Sequence, residues 1–214
     1  MLDLLDIAKM QASNDLSLGN KPIFSRGEHL SMWPFKQRRR KLTADAFAAE
    51  IWSLLMRRAC PDFVKQFTAD VLDADIRLES LDEAALEDEI LLAQLWTISK
   101  TFCGDKPVLD ALHGHCFAFQ RKFAETPEDK EALVQLAVTE LTDRYEAYYK
   151  AWEADEEHRR SKGHAGFALT SEMLNHFLPR HRTLNASLSF TIGVRVYSFM
   201  KFLGQIRKEI EIIG

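Results

Sequence analysis

Residues 192–213, which read IGVRVYSFMKFLGQIRKEIEII, place an apolar side chain at every third or fourth position. Side chains at alternating steps of four and three fall on one face of an α-helix. Such a face is stable only when other apolar surface removes it from water. The stretch therefore predicts a helix whose apolar stripe, the row of side chains on this face, lies in a core or in a homodimer interface. The stripe consists of Ile192, Val196, Phe199, Leu203, Ile206, Ile210 and Ile213.

A second stripe with this spacing follows the tetrapeptide Thr126-Pro127-Glu128-Asp129. That tetrapeptide is typical of a helix start, with a capping hydroxyl, a proline in the first turn and acidic residues beside it. No glycine or proline interrupts the segment before Gly163, so it predicts a helix of about 30 residues. We expect residues 153–160 to form a solvated helix end, because the apolar stripe stops at the last of Val134, Val138, Leu141, Tyr145, Tyr148 and Trp152.

Other start signals divide the rest of the chain into helices. Thr43 is a capping residue, Pro61 predicts the first turn of a second helix, and Ser80 opens a capping box for a third. Residues 90–102 are apolar on nearly every side, which favours a central position in a bundle. The pattern predicts an all-α multi-helix bundle of about six or seven helices in a single domain, residues 42–214.

One segment also fits a strand. Residues 188–196 alternate apolar and polar side chains, as a half-buried strand does. We favour a helix because the heptad spacing continues to Ile213 and because we find no second strand-like segment for pairing. The chain is therefore expected to be helical up to Ile213.

The composition of the 214 residues is that of a soluble globular protein, with 46% hydrophobic and 28% charged residues. A net charge of −4 gives no bulk attraction to nucleic acid or acidic membranes. Three cysteines without a Cys-x-x-Cys pair predict reduced thiols in a cytoplasmic protein. We find no apolar segment long enough for a membrane span, and early acidic residues argue against a secretory signal.

Residues 1–41 are expected to form a flexible N-terminal arm and linker. Glycine, proline and polar residues between Ser13 and Ser31 break any helical period. The basic run KQRRRK, residues 36–41, has two interpretations: a solvated lead-in to the first helix, or a contact for an acidic surface, RNA or anionic lipid. The second interpretation makes candidate interaction residues of Trp33, Phe35, Arg38, Arg39 and Arg40.

Charge is unevenly distributed along the chain. Residues 70–89 are strongly acidic, with Arg77 as their one basic residue, whereas the chain from Arg159 onward is mainly basic. This pattern predicts a dipolar molecule that docks to copies of itself or to a charged partner, with ordinary solubility charge as the alternative. The candidate docking residues are Asp82, Glu83, Glu87 and Asp88.

Two carboxylate–histidine pairs are candidate metal ligands. Their members lie one helical turn apart, a spacing similar to that of di-iron helical bundles, in which single glutamates on other helices complete the site. That family prefers Glu to Asp, so a metal-binding helical bundle is kept as an alternative and no metal is expected. The residues concerned are Asp110 with His113, Asp155 with His158, and Glu89 and Glu140.

Residues 159–164, RRSKGH, contain an Arg-x-x-x-x-His spacing. This resembles the motif of HEPN-type ribonucleases, which are helical, often dimeric, and use the arginine and histidine on RNA. The resemblance implies that Arg159 would bind phosphate and that His164 would act as acid or base. The residue after the arginine is usually Asn, Asp or His in that family, whereas this chain has Arg160.

The sequence lacks a phosphate-binding loop, a dinucleotide fingerprint and a nucleophile elbow. It favours a non-enzymatic helical protein–protein interaction module, with a protein partner or self-association as the mode of action. A HEPN-like ribonuclease and a metal-binding bundle are the alternatives. No cofactor is implied, and nucleic acid is a less favoured partner.

Overall fold

The computed structural model describes residues 39–74, 82–164, 166–179 and 186–213. These residues form a bundle of helices with a two-stranded sheet at one edge, which confirms the predicted all-α class. The predicted N-terminal arm up to Arg38 lies outside the described residues, so its separability stays a prediction. The predicted domain boundary at residue 42 falls inside a strand that begins at Arg40.

The elements follow one another with short connections. In chain order they are β1 (Arg40–Thr43), α1 (Ala44–Leu54), a π-helical turn (Leu55–Ala59), α2 (Cys60–Asp73), α3 (Glu83–Thr101), α4 (Lys106–Gln120), a 3-10 turn (Arg121–Phe123), α5 (Pro127–Lys162), α6 (Ala168–Phe177), α7 (Ala186–Glu209) and β2 (Ile210–Ile213).

Local capping explains several helix boundaries. The Thr43 hydroxyl accepts from the Ala46 amide at the start of α1, as predicted. Thr126 and Asp129 form a reciprocal capping box at the start of α5, and this helix ends at Gly163 with a φ of 79°. Asp82 caps α3 through the Ala85 amide, whereas the predicted cap, Ser80, lies outside the described residues.

The predicted helix start at Pro61 is confirmed, because Pro61 lies in the first turn of α2. The chain runs from α1 into α2 through the π-helical turn without a loop, and the Cys60 amide bonds to the Leu55 carbonyl. Pro61 has no amide hydrogen to donate, and its position in the first turn of α2 suits its fixed φ. The wider π-helical turn therefore allows a proline that would interrupt a regular α-helix.

The prediction of helix up to Ile213 is wrong, because α7 ends at Glu209. Ile210–Ile213 pairs in parallel with Arg40–Thr43, with Arg40 opposite Ile210 and Thr43 opposite Ile213. Side chains at alternate positions point the same way in a strand, and Ile210 is buried while Ile212 is half-buried. The step of two from Ile210 to Ile212 fits this strand, and β1 was missed because its single apolar residue is Leu42.

Helix α3 occupies the centre of the bundle, as its sequence predicts. Trp96 is completely buried and its ring contacts Tyr148, Tyr149 and Trp152 of α5, with centroid distances of 5.9, 5.6 and 6.0 Å. The stripe of α7 contributes five of its seven predicted members to the core. These are Ile192, Val196, Leu203, Ile206 and Ile210.

We expect Leu203→Ala to lower the free energy of unfolding by about 2–5 kcal/mol, because it leaves a cavity in the core. Phe199 is half-buried, with its ring 6.3 Å from that of Phe202. Phe199→Ala should therefore cost less than Leu203→Ala although it removes more atoms. Equilibrium unfolding in urea measures both changes, and a larger loss for Phe199→Ala would contradict the described burial.

A buried carboxylate joins the end of α5 to the start of α6. Asp155 is 7% exposed and accepts hydrogen bonds from the amides of Ala168, at 2.8 Å, and Leu169, at 3.0 Å. The prediction of a wholly solvated end for residues 153–160 is therefore wrong at this position. Asp155 supplies the cap that α6 lacks locally, since Phe167 makes no capping hydrogen bond with its side chain.

Gly166→Ala is expected to destabilise the protein by about 1–2 kcal/mol, the scale of a lost helix cap. A Cβ at residue 166 would lie 2.2 Å from Oδ1 of Asp155 and would displace this carboxylate from the α6 amides. Gly114→Ala in α4 is the control, because its Cβ meets nothing within 4 Å. That change should stabilise by up to about 1 kcal/mol. Equal shifts of Tm for the two variants would argue against the Asp155 contact.

Candidate interaction groove

An open apolar cavity of about 660 Å³ lies between four helices of the described chain. Its walls come from the π-helical turn and α2, from α3 as far as Leu95, from the last turns of α4 with the following 3-10 turn, and from the first half of α5. We call it the groove. Its apolar lining includes Met56, Val64, Leu91, Leu95, Phe119, Phe123, Leu133, Leu136 and Leu141.

The groove exists because α5 is incompletely covered over its first half. Leu141 is the first buried side chain of α5, although apolar residues occur from Leu133 onward. Leu136 is 54% exposed, and Phe123, in the turn before α5, is 63% exposed. Large apolar side chains thus remain in contact with water along an open concave surface, an arrangement that is common at binding sites.

Acidic residues stand at the rim of the groove. Glu87 and Asp88 of α3 and Glu140 of α5 are exposed and line the cavity. Burial raises the pKa of the Asp88 carboxyl, and the negative charges of Glu89 and Asp82 raise it further. Negative charge is therefore unfavourable at Asp88, and a cation placed at this rim would be stabilised.

Two thiols contribute to the apolar wall. Burial raises the pKa of Cys60 to about 12, with a smaller contribution from the charge of Glu87, and burial raises the pKa of Cys116 to about 11. Both thiols are therefore protonated and uncharged near neutral pH. Since the thiolate is the reactive form of cysteine, these two side chains act as small apolar groups.

Alkylation should distinguish the three cysteines. Cys103 is exposed, whereas Cys60 and Cys116 are buried. In slightly alkaline buffer, we expect iodoacetamide to modify Cys103 more than about tenfold faster than the other two, because raised pKa values deplete their thiolates. Peptide mass spectrometry over time measures each rate, and denatured protein is the control. Equal rates in the folded protein would contradict the described burial.

The predicted docking residues are only partly brought together. Glu87 and Asp88 lie at the groove, while Asp82 caps α3 and Glu83 is exposed in its first turn. Arg39 is exposed. Arg40 forms an ion pair with Glu50 of α1. The other candidates, Trp33, Phe35 and Arg38, lie outside the described residues.

Part of the predicted charge asymmetry is cancelled inside the fold. Asp70, from the acidic region, forms an ion pair with Arg195 of α7, from the basic tail. Arg207 of α7 binds Asp105 through two hydrogen bonds of 2.7 and 3.0 Å. The acids at the groove are not among these pairs, so their charge is available at the surface.

The candidate metal ligands are separated and have other partners. Asp110 pairs with Lys106, Asp155 caps α6, and Glu89 forms a two-pronged ion pair with Arg144. His113 Nε2 lies 3.0 Å from the Tyr145 hydroxyl, and burial lowers the pKa of His113 against the opposing effect of Asp110. The described ranges contain no group of three or more His, Cys, Asp or Glu side chains arranged to hold a metal ion.

The two residues of the ribonuclease alternative lie on the surface near the end of α5. Arg159 is exposed and forms an ion pair with Glu156, and His164 is exposed beyond the end of α5. The His164 ring lies 4.8 Å from that of His158. Neither Arg159 nor His164 lines the groove, and the pairing of Arg159 with His164 in a cleft stays a prediction that needs a second chain.

Sequence reasoning missed most of the groove. It assigned α5 one stripe, but Leu133, Leu136 and Glu140 form a second row at spacings of three and four, with Ala137 beside it. This row lines the groove. The first half of α5 therefore carries two apolar rows, whereas its second half carries one. This difference in the sequence could have indicated an additional contact surface.

Comparison with known proteins gives no information on the groove. No protein-family model, curated protein or solved structure matches the chain. Among the described residues, no helix is both long enough and apolar enough to cross a lipid bilayer.

Proposed function

We propose that this protein is a non-enzymatic helical interaction module that binds an amphipathic helix of a protein partner in the groove. The observation that carries the proposal is the combination of an open apolar surface with an acidic rim. Helix-in-groove recognition uses an apolar helix face as anchor, and the surrounding charges select the partner. Acids at Glu87, Asp88 and Glu140 select lysine or arginine beside that face.

The dimensions and lining of the groove support a helical occupant. Its volume of about 660 Å³ lies in the usual range for binding cavities. Its walls are mainly aliphatic, aromatic and thiol side chains, which accept apolar anchors, with the polar side chain of Gln120 among them. Anchors at i, i+3, i+4 and i+7 of an incoming helix would cover the exposed side chains of Leu136 and Phe123.

A cytoplasmic setting is part of this proposal. The thiols of Cys60, Cys103 and Cys116 are all free, which supports a reducing compartment. Association with a second copy of the chain is one form of the same proposal, with α7 offering a second exposed apolar row of Phe190, Val194 and Tyr197.

A synthetic amphipathic helix tests the charge preference directly. The probe carries leucines at i, i+3, i+4 and i+7, with lysines at the flanking positions, and a matched probe carries glutamates there. Because the rim is acidic, we expect the lysine probe to bind the full chain about tenfold more tightly at low salt, equivalent to about 1.4 kcal/mol. Fluorescence anisotropy measures both affinities. Raised salt should reduce the difference, because it screens exposed charges.

Two variants locate the binding site. Asp88→Lys at the rim should remove most of the preference for the lysine probe, whereas Glu153→Lys, an equal charge change at an exposed position in the second half of α5, should not. Leu136→Glu should weaken both probes. If neither probe binds the wild-type chain or a variant with serine in place of Trp33 and Phe35, or if Leu136→Glu has no effect, the groove is not a helix-binding site.

A further inference from the structure

The chain contains a segment with the properties that the groove selects. Residues 32–38 read MWPFKQR, with two aromatic side chains followed by two basic ones, immediately before the described chain begins. Trp33 and Phe35 suit an apolar wall, since aromatic side chains bury large areas. Lys36 and Arg38 suit an acidic rim.

The position of Arg40 brings this segment within reach of the groove. The Arg40 side chain forms an ion pair with Glu50 of α1. The backbone of Arg40 is therefore separated from the backbone of α1 by no more than the combined length of these two side chains. Met56, at the near edge of the groove, is six residues beyond Glu50, or about 9 Å along a helix. Trp33 and Arg40 are seven residue steps apart, and an extended chain of that length spans up to about 24 Å. Trp33 can therefore reach the groove without disturbing β1.

We propose that residues 32–38 occupy the groove of their own chain and compete with the partner helix. Trp33 and Phe35 cover the apolar wall at Leu136 and Phe123, and Lys36 and Arg38 face Glu87, Asp88 and Glu140. This inference rests on the proposed function, because it assigns an internal competitor to the same binding site.

The tether makes such competition effective even if the segment binds weakly. A ligand joined by a short linker has an effective concentration on the order of millimolar. The apparent association constant for an external helix then equals its intrinsic value multiplied by the fraction of molecules whose groove is open. Removing the competitor should raise that affinity without any change in the groove itself.

Photo-crosslinking in the full chain locates the segment. Replacing Trp33 by photo-reactive p-benzoylphenylalanine should give crosslinks within one chain to the first half of α3 or of α5, identified by peptide mass spectrometry. The same group in place of Phe24 is the control and should not crosslink there. Crosslinks from residue 33 to the Phe190, Val194 and Tyr197 row, crosslinks between two chains, or no crosslinks to the folded body would each overturn the proposal.

Probe binding separates this inference from the proposed function. The variant Trp33→Ser/Phe35→Ser should bind the lysine probe about five- to tenfold more tightly than the wild-type chain, since its groove is open. Phe24→Ser is the matched control and should leave the affinity unchanged. Equal affinities for wild type and the double variant would overturn the internal competitor while the groove stands. Absence of binding to both would overturn the proposed function itself.

Discussion

The whole arrangement depends on one constraint, the burial of the second half of α3 on nearly every side. Trp96, Ile98 and their neighbours make it unfavourable for water to contact any face of this half of the helix. Helices must therefore surround it, and the long helix α5 covers one flank with Tyr148, Tyr149 and Trp152. The positions of α5, α6 and α7 follow from the need to cover a single central element.

The groove is the place where that requirement is incompletely met. The second half of α5 packs closely on α3, and Arg144 with Glu89 marks the start of this close contact. Nearer the amino ends of both helices, polar residues replace the apolar ones on α3, as at Glu87 and Asp88. Two helices that are held together at one end and carry charge at the other leave an apolar space with an acidic edge. The proposed binding site thus arises because α3 changes from polar at its amino end to apolar at its carboxyl end.

The parts of the fold that could be predicted from the sequence are those set by neighbouring residues. The capping box of Thr126 and Asp129 involves residues three apart, and the α7 stripe repeats every few residues, so both can be recognised in the sequence. The β1–β2 pair joins opposite ends of the described chain, and the Asp155 cap connects two helices across a turn. Such contacts depend on tertiary geometry. The acidic residues Glu87 and Asp88 could be identified from the sequence, but the apolar wall beside them required the positions of four helices.

The parallel pairing of β1 with β2 has a mechanical consequence. Strand β1 begins at Arg40, beside Ile210, and β2 ends at Ile213, beside Thr43. Tension applied to the two ends therefore runs along the strands in opposite directions, and the ladder is sheared rather than peeled. Its hydrogen bonds therefore resist the load together. A sheet of only two four-residue strands thus acts as a clasp that joins the two ends of the described chain.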